Sequence, residues 1–317
     1  MTSKMLTAVP YTPAHAPIWD DFVKRSRNAT FLHMRDYMDY HRDRFTDASL
    51  LLYDEKNKLA ALLPANSSGE RICSHGGLTY GGLLIDDRTN VMTVCDAFEA
   101  IIHHYSALGY NELIYKAIPT IYDKLPAQED RYALFLNRAE IAATNIASTV
   151  PLSTAPSYNE NTRRNIRKAL KNGISVTESD DLESFYEILS ELLASRYDAI
   201  PVHSLVEIKR LASLFPDNIR LMLAMKDDIP VGGALLYITD TVAHTQYIAA
   251  NEIGKEYDAL SLLFDNAITM AAAQGKRFFD FGTCNEQGGR YLNTGLIRQK
   301  NGFGGRGIVY PSYRIGL

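Results

Sequence analysis

The sequence predicts an α/β protein with mixed sheets, built from two tandem copies of one unit. Two observations carry this. An apolar run, a charged turn and a second apolar run occur twice, and each time a helix closed by glycine and a short apolar strand follow. The order of elements recurs with a period near half of the 317 residues, which separates a duplication from a short-period solenoid. One large α/β domain with alternating elements is the plainer alternative; the recurring order favours duplication.

In the first copy, "SLLLYDEKNKLAALLPA" (residues 49–65) reads as a β-hairpin. "VCDAFEAIIHHYSALGY" (94–110) places Ala97, Ile101, Tyr105 and Leu108 on one helical face, and Gly109 stops the helix. Residues 111–119 follow as a strand. In the second copy, residues 219–238 repeat the hairpin and 241–250 supply a further strand. Residues 257–275 form a helix ended by Gly275, and "KRFFDFG" (276–282) is a buried strand. A helix between two strands implies a parallel crossover, whereas hairpins are antiparallel, so each sheet is expected to be mixed. The expected domains are 1–150 and 151–317. Residues 148–173 join them: a Ser/Thr/Pro linker, then a basic helix over about 157–172. Asn159 or Asn161 caps that helix, and Gly173 ends it.

Hydrophobic residues make up 46% and charged residues 22%, the balance of a folded globular chain. Lys and Arg total 33 against 37 Asp and Glu, a net charge of -4, so no chain-wide field draws nucleic acid or membrane. DNA is not an expected partner, and an anionic ligand needs a local patch. Cys73, Cys95 and Cys284 are far apart and form no Cys-x-x-Cys pair, so neither a disulfide framework nor a metal is expected. The N-terminal stretch meets Pro and His before any long apolar run. No signal peptide and no membrane span are expected, and a cytoplasmic location follows.

"GFGGRG" (302–307) fits the dinucleotide fingerprint G-x-G-x-x-G. That loop needs a strand before it, and after it a helix, a second strand and a ribose-binding acid. Only "IVYPSYRIGL" follows, so the reading fails on context. "NEIGKEYDA" fails as a P-loop because Glu256 stands where Ser or Thr is required. What remains is a Gly-rich turn after a short helix in "GGRYLNTGLIRQK", leading to a last strand "GIVYP". It serves either chain return or a ligand.

The segments "YNENTRRNIRKALKNGISV", "KRFFDFG" and "LIRQKNGFGG" resemble the Fem-like branch of the GNAT superfamily. "SHGGLTYGGLL" (74–84) and "ATFLHMRDYMDYHRDRF" (29–45) resemble that family's first domain. The resemblance spans nearly the whole chain. It implies two tandem GNAT-like acyl-CoA N-acyltransferase domains, in agreement with the repeat. The family comprises acyl-CoA N-acyltransferases and aminoacyl-tRNA-dependent transferases that build peptidoglycan bridges in the bacterial cell wall. The implied donor is acetyl-CoA or another acyl-CoA, with aminoacyl-tRNA as the alternative; the acceptor is a small-molecule or peptidoglycan-precursor amine. The chain departs from the family in three places. The stretch matching the usual acyl-CoA pyrophosphate loop, "AANEIGKEYDA", holds a single glycine, Gly254. No long helical arm for tRNA appears. Gln299-Lys300 replaces the family's Phe-Lys.

Acyl transfer needs a polarised carbonyl, a deprotonated amine and an acid for the leaving group. The resemblance assigns Lys300 to the oxyanion, beside the Gly-rich turn whose Phe303, Gly304 and Gly305 count as donor-binding. Asp280, between aromatic residues near the end of a central strand, is either an ion-pair partner or a base. Glu286, in the polar loop beyond, is a second candidate for the amine's proton. Tyr247 is the candidate leaving-group acid, with His244 on the same strand face. Arg163, Arg164, Arg167, Lys168 and Lys171 form a basic helix face with no acid among them, either solvated or a rim for a phosphate-bearing acyl donor or acceptor. Tyr80, in the four-glycine loop of the first copy, is expected to line a cleft between the halves. A catalytically silent GNAT-fold binding protein is the reading from outside the enzyme class.

Overall fold

The computed structural model describes residues 6–317. The chain divides into two compact units. Unit 1 takes residues up to 145 with 287–289 and 309–317; unit 2 takes 146–286 and 290–308.

Unit 1 contains two sheets. The first orders β1 (Thr7–Pro10), β2 (Leu50–Tyr53), β3 (Leu59–Leu63) and the short strand Leu84–Ile85. β2 and β3 form the expected hairpin, its turn held by Asp54 N–H donating to the Lys58 carbonyl at 2.9 Å. The second sheet contains β4 (Arg71–Cys73) and β5 (Glu112–Lys116), paired in parallel across the helix α1 (Val91–Ala107). Asn90 caps α1, and Val94, Ala97, Phe98, Ile101 and Tyr105 bury its apolar face. Leu52, Leu63, Ile72, Leu113 and Tyr115 complete the same core.

Beside a two-strand ladder of Asn285–Glu286 with Tyr291–Leu292, unit 2 contains a mixed sheet. Its strands are β7 (Ile174–Ser179), β8 (Ile219–Lys226), β9 (Ile229–Ile238), β10 (Val242–Ala250) and β11 (Phe278–Thr283), in that order. Residues 146–151 of β6 (Glu140–Pro151) pair antiparallel to β11. Asp227 and Asp228 turn β8 into β9 with φ of 50° and 61°, the left-handed pair that a two-residue hairpin requires. The crossover between β10 and β11 runs through α5 (Glu252–Glu256) and α6 (Ala259–Ala273), and the two strands are parallel as expected. Leu262, Leu263, Phe264, Ala267 and Ile268 of α6 pack on Phe279, Phe281 and Phe303. Burying each large side chain contributes ~2 kcal/mol. On the other side of the sheet, α3 (Leu182–Tyr197) seats Phe185 against Gly233, where an added Cβ would lie 2.7 Å from the ring. A second helix, α4 (Leu205–Leu214), follows with a Ser204/Glu207 capping box.

Two expectations change here. Ser148–Pro151 is not a linker: Ser148, Thr149 and Val150 are buried, and Phe279 pairs with Val150 in the sheet. β-branched residues in a Ser/Thr/Pro-rich run fit a strand once a partner edge exists, and sequence composition does not show the partner. The basic helix α2 spans Glu160–Lys171 with Asn159 as its cap, and Glu160 pairs with Arg167 at 2.8 Å and with Arg163 at 3.8 Å. Intrahelical pairing therefore answers part of the basic face.

Candidate active site in the second unit

The parallel pairing of β10 and β11 ends where it has barely begun. Val242 pairs with Phe278, Ala243 with Phe279 and His244 with Asp280. β10 nevertheless runs on to Ala250 and β11 to Thr283, so the two strands part beyond His244 and Asp280. Gly282, at φ 71°, starts the departure of β11; a Cβ there would stand 3.1 Å from the His244 ring.

Asp280 sits at the fork, fully buried. Its carboxylate accepts hydrogen bonds from Thr149 Oγ1 at 2.9 Å and from the Gly282 N–H at 3.1 Å, and meets His244 Nδ1 at 2.8 Å. Such a carboxylate holds an imidazole in one orientation and one tautomer, with Nδ1 protonated and Nε2 carrying the lone pair. The His244 side chain is 12% exposed and Asp280 is not exposed at all, so the imidazole is the solvent-facing member of the pair. Asp280 is thus the buried hydrogen-bond partner of His244.

Lys300 lies in the last turn of α7 (Thr294–Asn301), not on the Gly-rich turn. It is 6% exposed, and Nζ donates to the carbonyls of Gly282 at 3.1 Å and Thr283 at 3.0 Å. An ammonium has three donors, so two are committed to the end of β11. Burial lowers the Lys300 pKa, opposed by Cys284 and Asp280 nearby, and burial raises that of Cys284. Lys300 and Asp280 thus both hydrogen-bond the backbone of Gly282, one at its carbonyl and one at its N–H.

Tyr247 follows a bulge in β10: Leu235 pairs with Tyr247 but Leu236 with Thr245, so Gln246 is the extra residue. The bulge puts Tyr247 on the same face as His244 although three positions separate them. Its hydroxyl accepts the His203 backbone N–H at 3.2 Å and lies 2.7 Å from His203 Nδ1, and burial raises its pKa. Sequence reading missed His203, Thr149 and Cys284. His203 stands just before the Ser204 cap, a visible helix-start signal, but nothing in its spacing says that it meets Tyr247.

The remaining candidates lie elsewhere. Glu286 is exposed and accepts only a long bond from Asn293, 3.4 Å. Phe303 is a core ring, 2% exposed, between Tyr158, Phe264 and Phe281. Gly304 has φ 85°, and a Cβ on Gly305 would fall 2.1 Å from Ser148 Oγ, so these glycines let the turn press on its neighbours. Gly254 is likewise explained by packing, since its Cβ would lie 2.1 Å from the Val231 carbonyl oxygen. Arg163, Arg164 and Arg167 are exposed on α2, and Lys168 reaches Asp258 at 2.8 Å. Tyr80 is in unit 1 and 2% exposed; its hydroxyl lies 3.2 Å from Thr30 Oγ1 and its ring stacks at a tilt on Tyr122.

Residues 156–291 match the family model described as an acetyltransferase (GNAT) domain. No curated protein matches the sequence. Among solved structures, FemX superposes with a TM-score of 0.69 at 12% identity, over 98% of this chain and 97% of that one. L-PGS from Bacillus licheniformis gives 0.65 at 11%, over 96% and 91%. A tandem GNAT protein from the clavulanic acid biosynthesis pathway gives 0.52 at 11%, over 98% of both. Residues 156–291 thus match an acetyltransferase (GNAT) domain, and the fold of the whole chain is similar to that of FemX.

Proposed function

We propose that unit 2 transfers an acyl group from an acyl-CoA-type thioester to a primary amine by direct attack. The observation that supports it best is the parting of β10 from β11 at His244 and Asp280. Beyond that point the edge of β10 offers backbone N–H groups to an extended donor and to the oxygen of its carbonyl. His244, oriented by Asp280, takes one proton from the ammonium. The neutral nitrogen attacks the carbonyl carbon, the C–N bond forms, and the C–S bond breaks. The departing sulfur takes the nitrogen's second proton through the Tyr247 hydroxyl, which His203 holds in place. Lys300 fixes the carbonyls of Gly282 and Thr283 and adds positive charge at the fork, where an oxyanion gains from it. A base of this kind is worth about 10²–10⁴ in rate. The three free cysteines suit a reducing compartment, and the described residues include no helix long and apolar enough to cross a membrane. We place the activity in the cytoplasm.

A second donor, aminoacyl-tRNA, is favoured by the exposed row Arg163, Arg164 and Arg167 together with the FemX-like fold, and its acceptor would be a peptidoglycan precursor. Thermal-shift titration with acetyl-CoA and longer acyl-CoAs, beside retention of charged tRNA, separates the two. Stabilisation by a CoA thioester supports the first donor; retention of charged tRNA alone supports the second. If neither binds and Lys300→Ala alters no transfer, the chain is a silent module of the same fold.

A further inference from the structure

A cavity of 490 Å³ opens in unit 2 beside α3. Glu183, Tyr186 and Glu187 form one wall, at i, i+3 and i+4 of the helix, and Ile200 and Pro201 form another. His203 also lines it, and His203 Nδ1 is 2.7 Å from the Tyr247 hydroxyl. The Tyr186 hydroxyl donates to the His203 carbonyl at 3.3 Å, and the Tyr186 ring stands edge-on to Tyr247 at 6.3 Å. The bulge at Gln246 puts Tyr247 and His244 on one face of β10. Two residues of the cavity wall, His203 and Tyr186, therefore touch Tyr247, which shares a face of β10 with His244.

Its chemistry is uneven. Ile200 is 85% exposed and stands beside Pro201 and Leu205, an apolar wall presented to solvent. No cation lines the cavity. Glu183 is ion-paired with Lys209, so Glu187 is the wall's uncompensated carboxylate among the described residues. A carboxylate facing an apolar wall suits a ligand with a cationic head and a hydrocarbon stem, and repels an anionic one.

We infer that this cavity seats the acceptor: a primary amine, arriving as an ammonium, on an unbranched apolar stem of several carbons. The inference rests on the acyl-transfer reading above and adds to it the acceptor's class and Glu187 as the residue that selects it. An amine bound here lies on the His244 and Tyr247 side of the sheet, whereas the donor enters along the parted strand edge.

Calorimetric titration of the full chain with n-hexylammonium and, separately, hexanoate tests it. Hexylammonium is expected to bind and hexanoate not. In Glu187→Gln, an exposed substitution, the affinity for hexylammonium should fall about two- to fivefold, the range of a half-exposed ion pair, with the melting temperature unchanged. Acetyl-CoA binding by the same variant should equal that of the parent. Equal binding of hexanoate, no binding of hexylammonium, or an unchanged affinity in Glu187→Gln overturns the acceptor assignment. Amine binding without any acyl-CoA binding upholds the cavity's role and counts against the thioester donor instead.

Discussion

The two units carry the same parallel strand pair and treat its end in opposite ways. In unit 1, β4 and β5 pair from Arg71 and Glu112 to Cys73 and Ile114, and the chain beyond β4 keeps hold of its neighbour. Ser74 N–H donates to the Ile114 carbonyl at 2.9 Å, Lys116 N–H to Ser74 Oγ at 2.7 Å, and Gly81 N–H to the Lys116 carbonyl at 3.0 Å. Gly81 lies so close that a Cβ would fall 1.6 Å from the Ser74 carbonyl oxygen. In unit 2 the pairing stops at His244 and Asp280, and the hydrogen bond between their side chains stands where unit 1 has loop. Each unit adds a lysine that gathers two carbonyls: Lys116 those of His75 and Leu78, Lys300 those of Gly282 and Thr283. A duplicated fold thus yields one closed unit and one open one, and the difference lies in a loop of packed glycines against a glycine that turns the strand away.

The comparison breaks most sharply at Asp280. Asp280→Asn should lower acyl transfer about 10²–10⁴-fold by releasing the His244 tautomer. Steady-state rates with a CoA thioester and an amine measure it; a rate within threefold of the parent would assign that hydrogen bond to structure alone. Phe303→Ala comes next. As a core ring it should cost about 3–5 kcal/mol in urea unfolding, while an exposed donor-binding ring would cost little stability.

Acid should distinguish the units. Burial holds the pKa of His33 at about 4 and that of His75 at about 3, against 6.5 for the unfolded chain. Their contribution is whole above pH 6.5 and is lost as pH falls through that value toward the folded pKa, because the unfolded chain takes up the protons first. His33 alone accounts for about 3 kcal/mol by pH 4. Hydrogen exchange at pH 7 and pH 4.5 should therefore show unit 1 opening first, and earlier loss of protection in unit 2 would refute this. The lysines give a smaller contrast. Lys116→Met should cost about 1–3 kcal/mol by orphaning two carbonyls and leave acyl-CoA affinity intact, whereas Lys300→Met should also weaken the donor's binding. Smallest is Arg167→Ala, exposed on α2: an unchanged melting temperature and a few-fold loss of donor affinity that fades with salt.

Much of unit 2 was legible in order. The hairpin at 219–238, the strand at 241–250, the crossover helix and "KRFFDFG" are periodic apolar runs bounded by Asp-Asp and Gly, and such runs select their own backbone state. Asn159 and Gly173 marked α2 for the same local reason. Ser148–Pro151 was misread because a strand buried on both faces by partners distant in sequence has no local mark. The GNAT likeness is matched by a family model over residues 156–291.

The sequence by itself determined the two copies, the parallel crossovers and the placement of Asp280 near the end of a central strand, because hydrophobic period, caps and turn residues act over a few positions. Only the tertiary structure decided that Asp280 is sealed behind His244, that Lys300 spends two donors on Gly282 and Thr283, and that Phe303 is core. It also decided that a bulge at Gln246 turns Tyr247 onto the face of His244 and that His203 meets it from 44 positions away. Those outcomes depend on which side chains exclude water together, and that is settled by packing across the sheet and by no window of the chain.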